Sequence, residues 1–366
     1  MHEHLKGLKL PSLNVRHETM CYELDKLSYY KDKEVKDISS LDISHEDLHL
    51  EDLDGENKGL ISKILKFIVN VKEDFKQIKD NFERLNKSAP TELIERVERL
   101  SGNYSKLSGS ITNSSILDTF SVYDRLGVVS GYSVDNYIKY ADWAKNMIFD
   151  KQTSAGINDF VAAIWSNKSD YEYKGKSTKY LDQIKDKEIR DWLNKDTQFG
   201  AVARIAGGST YLVSLHKSNR FMALLSKNGL MFGGACLRVD NYSCDAPSSI
   251  PSLSESDYKK LLAFCQSECQ NLQGYIKECM NHSTNFSFFD VVTGGLQAAR
   301  VVRNLIGVYR LARMGVQVGP SGVFSGFQFV DLFSKFRTAD NLYKDWMISY
   351  IKYISALIAI LEEHSA

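Results

Sequence analysis

A mainly α-helical chain with a small central antiparallel β element (α+β), carrying a long N-terminal helical hairpin, is what three observations predict. Only five prolines occur in 366 residues, Pro11, Pro90, Pro247, Pro251 and Pro320, which leaves room for long helices. Between Leu60 and Leu85 apolar residues recur at helical spacing. Near Phe199 the texture changes to short β-branched and aromatic runs led by glycine pairs.

The first helix rests on Ile61, Ile64, Leu65, Ile68, Phe75, Ile78, Phe82 and Leu85, with Lys and Glu filling the opposite face. Asn86 to Pro90 is expected to break it. Leu93, Val97, Leu100, Tyr104 and Leu107 then repeat at 4-3-4-3 spacing, a second helix that returns along the first as a hairpin. Ser108 to Ser115 is rich in Ser, Thr, Gly and Asn and is expected to be a loop. From Ile116 to Trp192 several shorter helices carry aromatic anchors at Trp143, Trp165 and Trp192. Gly207-Gly208 reads as a turn into a strand over 209–215. A second strand is expected over 221–225 and a third over 235–239. Ser254-Glu255-Ser256-Asp257 looks like a helix start, a polar cap with early carboxylates, and that helix is expected to run to about Cys279. Another is expected from Leu296 to Met314. Gly315 to Gly326 reads as a connector, and the last helices run from Phe327 to Glu363. In domain terms the chain divides into an acidic leader and candidate propeptide (1–56), a helical domain with the hairpin (57–198), a small β region (199–249) and a C-terminal helical region packing on the rest (250–366).

Composition narrows the function classes. The 46 basic and 46 acidic residues cancel, so total charge gives no reason to invoke nucleic acid or a membrane surface. The distribution is uneven, however. Nine carboxylates and one Lys lie between Glu34 and Glu56, whereas six Lys or Arg and one Asp lie between Val291 and Arg337. Such an acidic head and basic tail either pair with one another or meet different partners. The six cysteines contain no C-x-x-C pair, which fits free thiols in a reducing compartment. Cys265 and Cys269 share a helical face and read as small apolar residues of a helix interface. No apolar run reaches the roughly 18 residues of a spanning helix. The nearest, Trp346 to Leu361, carries Lys352 and is expected to be a buried terminal helix.

Two constellations carry chemistry. His45-Glu46-Asp47-Leu48-His49 matches H-E-x-x-H, in which two histidines on one helical face bind zinc and the glutamate activates water. Glu73 would be the third ligand of that set. Asp47 puts a charge inside the motif, the stretch around Glu73 is highly charged, and position 55 is Gly where the extended motif needs His. The zinc metalloprotease is therefore the alternative reading, and no metal or other cofactor is expected. The second constellation is Arg300, Arg303, Arg310 and Arg313, which form one stripe of a helix opposite Val301, Val302, Leu305, Val308 and Leu311. A stripe of this kind either contacts phosphates or an acidic partner without reading sequence, or pairs within the chain.

The order of parts resembles the internal head proteins of large and giant tailed bacteriophages. The resemblance is carried by the acidic leader ending in Ser44-His45-Glu46, by the segment Lys58 to Ile68 that opens the long charged helix, by Ile250 to Asp257 after the Gly-Gly-led strands, and by the closing Tyr350 to Leu357 helix. It implies a non-enzymatic structural or cargo protein of the virion interior, present in the host cytoplasm before packaging or after delivery. A head-maturation protease would cut after Glu46, with Ser44, His45 and Glu46 as its site. Other virion proteins, and DNA bound nonspecifically, are the implied partners, with no membrane span. A host-directed, membrane-active helical effector is a further alternative, disfavoured because the expected hairpin tip, Asn86-Lys87-Ser88-Ala89-Pro90, is polar.

Overall fold

The computed structural model describes residues 13–27, 56–100, 104–107, 109–149, 178–194, 197–217, 235–281 and 321–365. In chain order these form α1 (Leu13–Leu27), α2 (Glu56–Arg99), α3 (Ser114–Leu126), α4 (Val134–Phe149), α5 (Thr178–Leu181), α6 (Lys187–Asn194), strands β1 (Thr197–Val202), β2 (Ser209–Lys217) and β3 (Ala235–Ser243), then α7 (residues 255–281) and α8 (Ser321–Glu363). Helices with one small antiparallel sheet are the expected class.

The fold is organised around the end of α8. From Leu342 to Leu361 this helix is buried on every side, with Leu342, Tyr343, Trp346, Met347, Tyr350, Ile351, Ile354, Leu357 and Leu361 forming its apolar part. A helix of this kind must be covered all round, in water as in a core. Here α1, α2, α3 and α4 supply the cover. The α7 helix adds Glu268, which accepts from the Tyr350 hydroxyl at 2.6 Å. The terminal helix is therefore the buried one that its composition predicts. Of the connector expected at 315–326, residues 321–326 are helical, since α8 runs from Ser321 and includes Gly322 and Gly326, and 315–320 lie outside the described residues. Each glycine costs a helix interior only about 1 kcal/mol.

The hairpin is corrected. Helix α2 does not break at Asn86–Pro90 but continues through Pro90 to Arg99. Proline removes one backbone hydrogen bond and clashes with the preceding turn, a cost of about 3 kcal/mol. Phe82, Leu85, Ala89, Leu93 and Val97 are nevertheless all buried and follow one another at threes and fours. They form one continuous stripe toward α8, so burial on both sides of Pro90 outweighs the local penalty. Breaking the helix would have turned Leu93 and Val97 out of register. Because Pro90 opposes the helix that contains it, Pro90→Ala is expected to stabilise the chain by about 1–2 kcal/mol. A higher urea midpoint with an unchanged slope is the expected result.

The smaller helices have local causes. Asn113 caps α3 by accepting from the Ser115 amide at 3.1 Å, and Gly127 closes it at φ 58°, its amide donating to the Tyr123 carbonyl. The cap expected for α7 is formed: Ser254 Oγ accepts from the Asp257 amide at 3.1 Å and donates to the Asp257 carboxylate at 2.7 Å. The sheet has the order β1-β2-β3, with β2 and β3 in unbroken register from Ser209↔Ser243 to Lys217↔Ala235. Strands β2 and β3 occupy the segments expected at 209–215 and 235–239, whereas 221–225 lies outside the described residues. Strand β1 was not predicted. The Gly207-Gly208 turn docks the sheet on α3: Gly207 has φ 100°, its amide donates to the Thr119 carbonyl, and its carbonyl accepts from Ser121.

Candidate functional site

The most concentrated polar chemistry among the described residues lies inside the core, where α1, α2, α3 and α8 meet. On α1, His17, Cys21 and Asp25 are four residues apart and share one face with Met20 and Leu24. On α8, Lys352, Ser355 and Glu362 are three and seven apart and share another. Arg96 enters from the buried stripe of α2. It forms a fork with Glu362, Nε to Oε1 at 2.9 Å and Nη2 to Oε2 at 2.8 Å, and Nη1 donates to Ser355 Oγ at 2.7 Å. Both partners of the fork are buried. Bidentate geometry of this sort is the strongest form of the pair.

These bonds fix the donors along a chain. Arginine can only donate, so Ser355 Oγ accepts from Arg96 and its own hydrogen is available to His17 Nδ1, 2.8 Å away. His17 is then neutral with its proton on Nε2, which faces Thr119 Oγ1 at 3.5 Å, and Thr119 in turn donates to the Ser115 carbonyl at 3.0 Å. Burial, together with the Arg96 guanidinium, lowers the His17 pKa to about 3. At the other end of α1, Asp25 pairs with Lys352. Burial pushes the Cys21 thiol up to about 11.

Two further networks fasten α8. Glu268 of α7 takes the Tyr350 hydroxyl and also Lys145 Nζ at 2.7 Å. Burial works against the Lys145 charge, but the hydrogen bond and attraction of Glu268 more than offset it and hold the lysine above its usual range. At the end of the chain, His364 Nε2 accepts from the Leu253 amide at 2.9 Å, leaving its Nδ1 proton for the Ser105 carbonyl. Burial lowers its pKa too. Cys265 and Cys269 are buried in the α7 interface as expected, and burial raises both thiols, Cys269 to about 12. An open cleft of about 500 Å³ lies at the start of α3, lined by Ile111, Thr112, Asn113 and Glu363 among others, with Asn113 donating to Glu363.

As bases and nucleophiles these groups are poorly placed. His17 and His364 are held neutral with both ring nitrogens engaged, and the buried thiols are held protonated. Among the described residues no three His, Cys, Asp or Glu side chains converge on a metal position. Of the sequence candidates, Ser44, His45, Glu46 and His49 lie outside the described residues, as do Arg300, Arg303, Arg310 and Arg313. Glu73 lies within α2. Sequence reasoning missed Arg96, Ser355, Glu362, His17 and Asp25. Lys352 inside the apolar Trp346–Leu361 run was a signal of a buried pair. A second was Arg96, which sits at a stripe position between Leu93 and Leu100.

No family model, curated protein or solved structure matches this chain. No described helix is long and apolar enough to cross a membrane.

Proposed function

We propose that the chain is a non-enzymatic structural protein, packaged in the interior of a phage head as its sequence resemblance implies. What supports the structural half is the use made of the buried polar groups. Arg96–Glu362, Asp25–Lys352 and Lys145–Glu268 each tie one surrounding helix to another or to α8, and the histidines and thiols beside them are tuned away from base and nucleophile chemistry. What supports the setting is the sequence alone: the Ser44-His45-Glu46 site in an acidic leader, and the arginines from Arg300 to Arg313 for nonspecific contact with DNA.

Helix α1 alters what processing would do. It lies in the leader, yet His17, Met20 and Leu24 are buried in the core. A cut after Glu46 therefore separates α1 from the rest in sequence without removing the contacts that seat it. In purified virions, peptide mass mapping is expected to find a chain starting at Asp47 together with the 1–46 fragment in equal amount. An intact Met1 start removes the processing step, and absence from virions removes the setting. Peptidase activity abolished by a chelator and by His45→Ala would replace the structural reading with the zinc one.

A further inference from the structure

We propose that α1 is an acid-released strap, which leaves its seat on α2, α3 and α8 below neutral pH while the helices beneath it stay folded.

Three features of the seat point to this. The first is the polar make-up of the inward face of α1 between His17 and Asp25. Between His17 and Asp25 only Met20 and Leu24 are buried apolar anchors, and the other inward groups are His17, Cys21 and Asp25. A helix of 15 residues is marginal on its own, so α1 is helical because it is docked. The second is that the seat has ties of its own that bypass α1, beside the contacts of Arg96 with Met20 and of Ser355 with His17. The Arg96–Glu362 fork and the Arg96–Ser355 bond join α2 to α8 directly and remain when α1 leaves. The third is the direction of the hydrogen bond at His17. Its Nδ1 accepts from Ser355, whose oxygen already receives Arg96. A proton taken from water onto Nδ1 turns that nitrogen into a second donor aimed at the same serine oxygen. It also places an imidazolium beside a guanidinium in a buried site.

The surrounding charges do not absorb the new one. From α2 comes Arg96; from α8 come Lys352, Ser355 and Glu362; from α3 come Asp118, Thr119 and Ser115; and α1 itself brings Cys21 and Asp25. Of the carboxylates, Glu362 is committed to Arg96 and Asp25 to Lys352. Asp118 acts on Cys21 rather than on the imidazole. Arg96 and Lys352 both oppose a charged His17. Once released into water, His17 regains its ordinary affinity for a proton, and this difference drives release.

The sign is that of a base with a lowered pKa in the docked state. Docking is at full strength above the ordinary histidine pKa of 6.5 and is lost as pH falls from there toward about 3. Between pH 7 and pH 5 the docking equilibrium is expected to weaken about 20-fold.

The inference does not depend on the packaged setting, since it concerns the full chain in solution. Hydrogen exchange of the full-length protein, followed by mass spectrometry and corrected for the intrinsic effect of pH, tests it. Protection of residues 13–27 is expected to fall about 20-fold from pH 7 to pH 5, with protection of 341–361 unchanged. His17→Gln, which keeps a hydrogen-bonding side chain and cannot titrate in this range, is expected to abolish the pH dependence. Should His17→Gln loosen α1 on its own, Asp25→Asn is the second arm. It lowers protection of α1 at both pH values and leaves the ratio between them intact. Equal protection of 13–27 at both pH values in the unaltered chain overturns the proposal, as does loss of α1 only together with α8.

Discussion

Replacing Arg96 by Met is expected to destabilise the chain by about 3–5 kcal/mol, the largest effect of any single charge removal in the core. Arg96 is buried, and it makes five hydrogen bonds, two to the Glu362 carboxylate, two to Ser355 and one to the Met20 sulfur. Methionine fills much of the same space, so the loss is not chiefly one of packing. It comes from the carboxylate left behind. Glu362 is itself buried, and without the guanidinium its carboxyl loses the partner that offsets its burial. The same reasoning makes a second prediction inside the first. Glu362→Leu placed on top of Arg96→Met removes the stranded carboxyl, and the double variant is expected to recover most of the loss, because a buried pair and an apolar replacement of like volume are close in free energy. Urea unfolding of the two single variants and the double variant measures this. Additive losses would mean that the fork contributes nothing as a pair.

The pattern of what could be read in advance follows from what each signal depends on. Periodicity and capping are local, and there the sequence reading held: the apolar stripe from Ile78 to Leu85 is buried, the Ser254 cap of α7 is formed, and strands lie at 209–215 and 235–239. Trp346–Leu361 was recognisable as a buried helix because Lys352 is the only charged residue in an otherwise largely apolar run. The error at Pro90 came from weighing a local rule without the tertiary term, since the stripe on both sides of the proline points to α8, some 250 residues away in sequence. Strand β1 carries Gly200 in a short run and owes its state to pairing with β2, a partner its own residues do not announce. The polar seam was the least legible part. His17 and Asp25 lie in a segment that reads as polar leader, and their partners Ser355 and Lys352 lie more than 300 residues later. No spacing rule connects such positions. What was available was a pair of misplaced charges, Arg96 in one apolar stripe and Lys352 in another, each a sign that a compensating group had to exist somewhere in the fold.

Trp346→Ala is expected to cost about 3–5 kcal/mol, for a reason unlike that of Arg96. Trp346 is fully buried on the central helix. Its ring stacks on Tyr350 with centroids 5.2 Å apart and planes at 14°, and meets Phe149 of α4 edge-on at 5.4 Å. Truncation therefore removes one of the side chains that join α8 to α4, Tyr353 being another, and leaves a cavity bounded by two rings. Those rings are held in place, Tyr350 by its hydrogen bond to Glu268 and Phe149 by its contact with Tyr275, so the walls have little freedom to collapse. The indole nitrogen matters less. Trp346 Nε1 has no hydrogen-bond partner among the described residues, so its removal strands no acceptor there. Trp346→Phe keeps an aromatic face for Tyr350 and is expected to cost only about 1–2 kcal/mol. The comparison of the two variants by thermal or urea unfolding separates volume from polarity. If Phe proves as damaging as Ala, the indole N–H contributes more than the ring contacts do. The ordering Ala far below Phe would show that the covered helix is held by the filling of space around it.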